Sequence, residues 1–154
     1  IGWVLAGVAG VFATFAIAGF NLFDAYPVLR TRYYAGIASE RPASYWLWGD
    51  LAALCFSCGP VLGASLALAA RRWRSRRVDA STRVVTSLVG AALVAVLLAD
   101  LSLMSKAEVQ RIWLPFVPWL LLGTALLPGR WRRLALGGQL AFAVVLQSLL
   151  TTRW

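Results

Sequence analysis

From Gly2 to Phe23 the chain runs without a single charged side chain. The hydrocarbon core of a bilayer is about 30 Å thick, and a helix needs about 20 apolar residues to cross it. Four further runs approach that standard: residues 51–70, residues 84–104 with Asp100 as an interruption, residues 112–127 with Pro115 and Pro118, and residues 134–151. None alternates strictly between apolar and polar residues, and strands with unpaired edges cannot face lipid. The pattern predicts an all-α fold, a polytopic transmembrane helix bundle of about five spans plus an interfacial amphipathic helix. Residues 1–154 read as a single transmembrane helical domain.

Composition supports the same class. Hydrophobic residues make up 60% of the chain, charged residues only 14%, and the mean hydropathy is +0.73. A water-soluble domain of this size needs more polar surface. The net charge of +9 would suit nucleic acid on a soluble basic face. Here the arginines cluster between apolar runs instead, so no nucleic-acid partner is expected. The absence of histidine removes the commonest general base and the commonest metal ligand, and no metal site is expected. The chain opens on Ile1 rather than methionine and reads as a processed or truncated piece of a longer protein.

Charge placement orients the spans. Arg71, Arg72, Arg74, Arg76, Arg77 and Arg83 sit between the second and third runs, and Arg130, Arg132 and Arg133 between the fourth and fifth. Two spans separate these connections, so alternation puts both on one side, and cationic loops are retained in the cytoplasm. The expectation is a multi-pass plasma-membrane protein with residues 71–83 and 130–133 cytoplasmic. Residues 24–50, residues 105–111 and the C-terminus then lie outside.

The outer loops carry the candidate chemistry. Tyr26, Leu29, Tyr33 and Ile37 recur at helical spacing, with Arg32 off that stripe and Arg30 at its margin. An amphipathic helix in the outer interface fits, with Tyr45, Trp46 and Trp48 as an aromatic belt behind it. Arg30 and Arg32 are then available to an anionic headgroup or sugar phosphate. In the second outer loop Ser105 precedes Glu108 by three residues, the form of a capping box that starts a helix. Lys106, Glu108 and Arg111 follow within a turn or two of one another. Asp100 lies about one turn inside the span, where a carboxylate is costly unless paired; Lys106 or Arg111 is the nearby partner. A charge-balanced turn is the plainer reading of these residues, and simple interfacial anchoring is that of the aromatics. Cys55 and Cys58 form a CxxC on an apolar helix, read as packing alongside Gly59, Gly63 and Ala64 rather than as redox chemistry. Gly137 and Gly138 read the same way, and Gln139 and Gln147 read as hydrogen-bonding to a neighbouring helix.

The segments SKAEVQRIWLPFVPWLLL, YYAGIASERPASYWLWGD and LLTTRW resemble the C-terminal part of actinobacterial polytopic membrane proteins of the GT-C glycosyltransferase type. The resemblance implies a transferase of the cell envelope that takes its sugar from a polyprenyl-phosphate donor, with no further cofactor. It places Lys106, Glu108 and Arg111 near a lipid-phosphate or sugar site. It carries over no catalytic residue, because the family's catalytic carboxylate belongs to a first outer loop that would precede this chain. Membrane lipids, the donor, and the rest of the polypeptide or another membrane subunit are the implied partners. A non-catalytic membrane subunit is the alternative; transport ranks last, because only Asp100 approaches the interior of a span.

Overall fold

A computed structural model describes residues 2–75 and 78–149, and the side chains of Val4 and Gln110 are not described. Arg76 and Arg77 of the first basic connection, and residues 150–154 at the end of the expected fifth run, lie outside it. The described residues are helical throughout their ordered elements, without a strand. The chain divides into two compact units, Ile1–Arg41 and Pro42–Trp154.

In the first unit, α1 (Gly2–Ile17) is apolar on every face, and its described side chains are exposed. A helix apolar all round has no stripe to sort inward from outward. It ends at Gly19, whose φ of +86° suits a residue without a Cβ. The chain then bends by 77° into α2 (Leu22–Tyr34). The Asn21 side chain caps α2 by accepting the Phe23 N–H at 3.0 Å. Asp24 in the first turn and Arg32 in the last suit the helix dipole. A helix is thus present where an amphipathic one is expected, but it stops at Tyr34 and buries no face. Ile37 falls in a separate 3₁₀ turn, Ile37–Ser39, where Ala38 is the buried residue.

The second unit holds α3 (Ala43–Cys58), α4 (Val61–Trp73), α5 (Ala80–Leu101), α6 (Val109–Ile112), α7 (Val117–Leu121) and α8 (Gly129–Leu149). Its core is Leu54, Cys58, Leu62, Ala92, Val96, Val109, Trp113 and Leu120, drawn from five of these helices and the residue that closes α6. Buried positions recur at helical spacing on each main element: Asp50, Leu54 and Cys58 on α3; Leu62, Ser65 and Ala69 on α4; Thr86, Val89, Ala92, Val96 and Asp100 on α5. The stripes are narrow, so the remaining apolar surface faces outward. Two close approaches depend on glycine. Ser65 donates to the Leu120 carbonyl at 2.5 Å, and a Cβ on Gly123 would meet the Ser65 hydroxyl and carbonyl. The Gln139 amide fills the space a Cβ would need on Gly59, and its Nε2 donates to the Cys58 carbonyl at 2.7 Å.

Among the described residues one helix is long and apolar enough to cross a bilayer: α5, with 22 residues and a mean hydropathy of 2.3 over its best stretch. The first and second expected spans become bent pairs. α1 and α2 meet at 77°, and α3 and α4 meet at 98°. Counting each pair as one span gives up to three crossings where the sequence predicts five. The reason for the second break is local. Gly59 ends α3 with φ +71°, and Pro60 has no N–H to continue the ladder. The fourth run is the shorter apolar stretch Leu114–Leu126, assembled from a 3₁₀ turn, α7 and a second 3₁₀ turn around its two prolines. α8 has 21 residues, but three arginines and two glutamines dilute it, and it does not meet the same criterion of length and hydropathy. Of the small residues expected in tight packing, Gly59 is packed closely; Gly63, Gly137 and Gly138 meet no atom within 4 Å.

Candidate functional site

α3 carries Asp50 at its middle, and α5 carries Asp100 near its end. Each continues the buried stripe of its own helix, so each is turned inward by the same periodicity that buries Leu54 and Val96. The two carboxyl groups interact electrostatically, so the middle of α3 and the end of α5 lie together. Both are nearly sealed, with 2% and 4% exposure. Charge so deeply placed is costly unless compensated.

Compensation comes from the connection after α5. Asp50 Oδ1 accepts the Ala107 N–H at 3.0 Å. To present that N–H, the backbone adopts positive φ at two residues that are not glycine, Leu103 (+56°) and Ala107 (+64°). Each costs about 1–2 kcal/mol, so the turn persists because contacts of this kind over-determine it. Lys106, next in the chain to Ala107, is buried with 3% exposure and brings a cation into the same turn. Ser105 is buried beside it. Asp100 Oδ1 and Ser105 Oγ are buried and accept or donate no hydrogen bond. The fully buried Trp113 belongs to the core, and its indole N–H is also without an acceptor.

The predicted residues divide sharply. Asp100 and Lys106 are buried, whereas Glu108 and Arg111 are exposed, so the expected Lys106–Glu108–Arg111 surface group does not form as one patch. The capping box does not form either. Glu108 itself occupies the N-cap of α6 without a side-chain cap bond, and Ser105 lies before the helix. Arg111 is not the partner that Asp100 was expected to find; the group facing Asp100 is another acid, Asp50. Arg30 and Arg32 are exposed on α2, in the other unit, with the Arg30 guanidinium 5.7 Å from the Tyr34 ring centre.

Sequence reading missed Asp50 as a site residue, because it follows the aromatic stretch and reads as a loop boundary. The usable signal was its spacing of four and eight from Leu54 and Cys58. Both cysteines are free thiols, Cys55 exposed and Cys58 buried. Among the described residues no group of three or more potential metal ligands occurs. No protein-family model, curated protein or solved structure matches the chain.

Proposed function

We propose that the chain is the membrane portion of a lipid-linked-sugar glycosyltransferase, with the turn after α5 beside a prenyl-phosphate donor. The observation that carries this reading is the buried Asp50, Asp100 and Lys106 group at the end of the membrane-capable helix α5, with exposed Arg111 and Glu108 on the turn that follows. Arg111 supplies a surface cation to the donor phosphate. Lys106, buried in the same turn, adds positive potential where the leaving phosphate develops charge. In this reading the connections around residues 71–83 and 130–133 face the cytoplasm. Residues 24–50 and 105–111 face outward with Arg30 and Arg32, and α2 lies in the interface.

Donor binding by the full-length protein in lipid vesicles tests the site. Arg111→Ala, an exposed change, is expected to weaken binding of a prenyl-phosphate sugar about fivefold, and Lys106→Ala with Arg111→Ala further. Unchanged affinity in Arg111→Ala sinks the assignment. The alternative is a non-catalytic membrane subunit. It is favoured by the small-residue positions Gly63, Gly137 and Gly138, whose open surroundings would admit a partner helix. A Gly137→Leu protein that still binds donor but falls out of a larger membrane complex on native gels supports the subunit reading.

A further inference from the structure

A groove of about 390 Å³ runs between the first turns of α8 and the segment Leu121–Ala125, with Val61 of α4 at its wall. Its volume is within the range of small-molecule sites. On the α8 side it is lined by Arg132, Ala135, Leu136 and Gln139. These are spaced by three, one and three residues, so they form one face of the helix, about 10 Å long from Arg132 to Gln139. The groove is therefore cationic at one end and, Thr124 apart, apolar along its middle. Gln139 stands at the end farther from Arg132, its amide tied to the Cys58 carbonyl. Leu136 is 62% exposed, so the groove opens sideways.

Charge identifies the occupant. From Val109 onward the chain contains no acidic residue, yet Arg130, Arg132 and Arg133 occupy the first turns of α8. Among the described residues the Arg132 guanidinium meets no carboxylate. The N-terminal end of a helix of this length adds partial positive charge to the same place. An anion is the complementary ligand for this exposed guanidinium, and the groove beside it is lined mostly with hydrocarbon.

We propose that this groove binds one anionic glycerophospholipid from the surrounding leaflet, its phosphate on Arg132 and an acyl chain laid between Leu122 and Leu136. The inference rests on the membrane reading of the chain and is independent of the Asp50 and Asp100 group. Arg132 fixes the headgroup by a charge-assisted hydrogen bond, and Ala125 and Ala135 leave room for the chain.

The test reconstitutes the full chain in phosphatidylcholine vesicles containing a minor fraction of phosphatidylglycerol. The protein is then released gently and its retained lipids are weighed by native mass spectrometry. Retention of phosphatidylglycerol over phosphatidylcholine is expected, falling about fivefold in Arg132→Gln. Ala135→Trp, which fills the groove without touching the charge, is expected to reduce retention as well, and Arg74→Gln to leave it unchanged. Circular dichroism confirms that each variant keeps its helix content. Equal retention of both lipids, or an Arg132→Gln protein that retains as much phosphatidylglycerol as the parent, overturns the proposal. Displacement of the bound lipid by an equal amount of polyprenyl phosphate also overturns it, in favour of a prenyl chain. Failure of the protein to float with vesicles defeats the membrane reading itself; flotation without lipid preference defeats only the site.

Discussion

α5 and the α3–α4 pair are both apolar, and both are long enough in sequence to cross a bilayer, yet one is a continuous rod and the other is folded through 98°. Hydropathy does not separate them. At about 1.5 Å per residue the 16 residues of α3 reach about 24 Å and the 13 of α4 about 20 Å, each short of a full crossing. Three atoms' worth of chemistry decides the outcome: the missing Cβ of Gly59, the missing N–H of Pro60, and the Gln139 amide nitrogen on the Cys58 carbonyl. A run of apolar residues establishes that a segment prefers hydrocarbon. Whether it crosses depends on a few backbone groups at its middle.

The same substitution at two glycines should break the comparison most clearly. Gly59→Ala puts a Cβ at φ +71° and into the Gln139 side chain, and is expected to cost about 2–3 kcal/mol in reversible unfolding from detergent. Gln139→Ala removes the bond that holds the break against α8 and should cost about 1 kcal/mol in the same assay. Gly90, in the middle of α5, has nothing within 4 Å of a Cβ, so Gly90→Ala should stabilise by about 0.5–1 kcal/mol. If both glycine variants shift stability in the same direction, the bend is not held as described.

The smallest effect concerns how α5 begins. Asp79 accepts from the Ser81 hydroxyl and from the Thr82 hydroxyl and N–H, which together hold its carboxyl well below the usual carboxylate range. A depressed folded-state value means that the cap's contribution is complete above the ordinary carboxyl titration. It is lost only as pH falls through that lower value. Hydrogen exchange at the Thr82 amide should therefore stay protected in mildly acidic solution, and Asp79→Ala should remove that protection at every pH. No equivalent side-chain cap starts α3 or α4.

Much of this architecture was legible in the residues. The helical class, the third apolar run as a membrane-capable helix, the burial cost at Asp100 and the role of Gln139 toward a neighbouring helix all follow from period and polarity. The bend after Cys58 was less so. Gly59 signals small-residue packing as readily as a break, and its reason lies 80 residues away, in Gln139. The turn after α5 was the least legible. Leu103 and Ala107 adopt a backbone that sequence assigns to glycine, because tertiary contacts with Asp50 outweigh local preference. Ser105 and Glu108 offered a plausible helix start, and burial of Ser105 and Lys106 prevailed over it. Asp50 itself was hidden by its neighbours Trp46 and Trp48, whose aromatic character reads as an interface.

The two thiols on α3 stand one turn apart but differ in access, Cys55 open and Cys58 sealed against the break. The molecule thus contains a built-in chemical ruler. A maleimide that marks Cys55 alone reports the folded elbow, and the appearance of a second adduct times the moment at which the elbow opens.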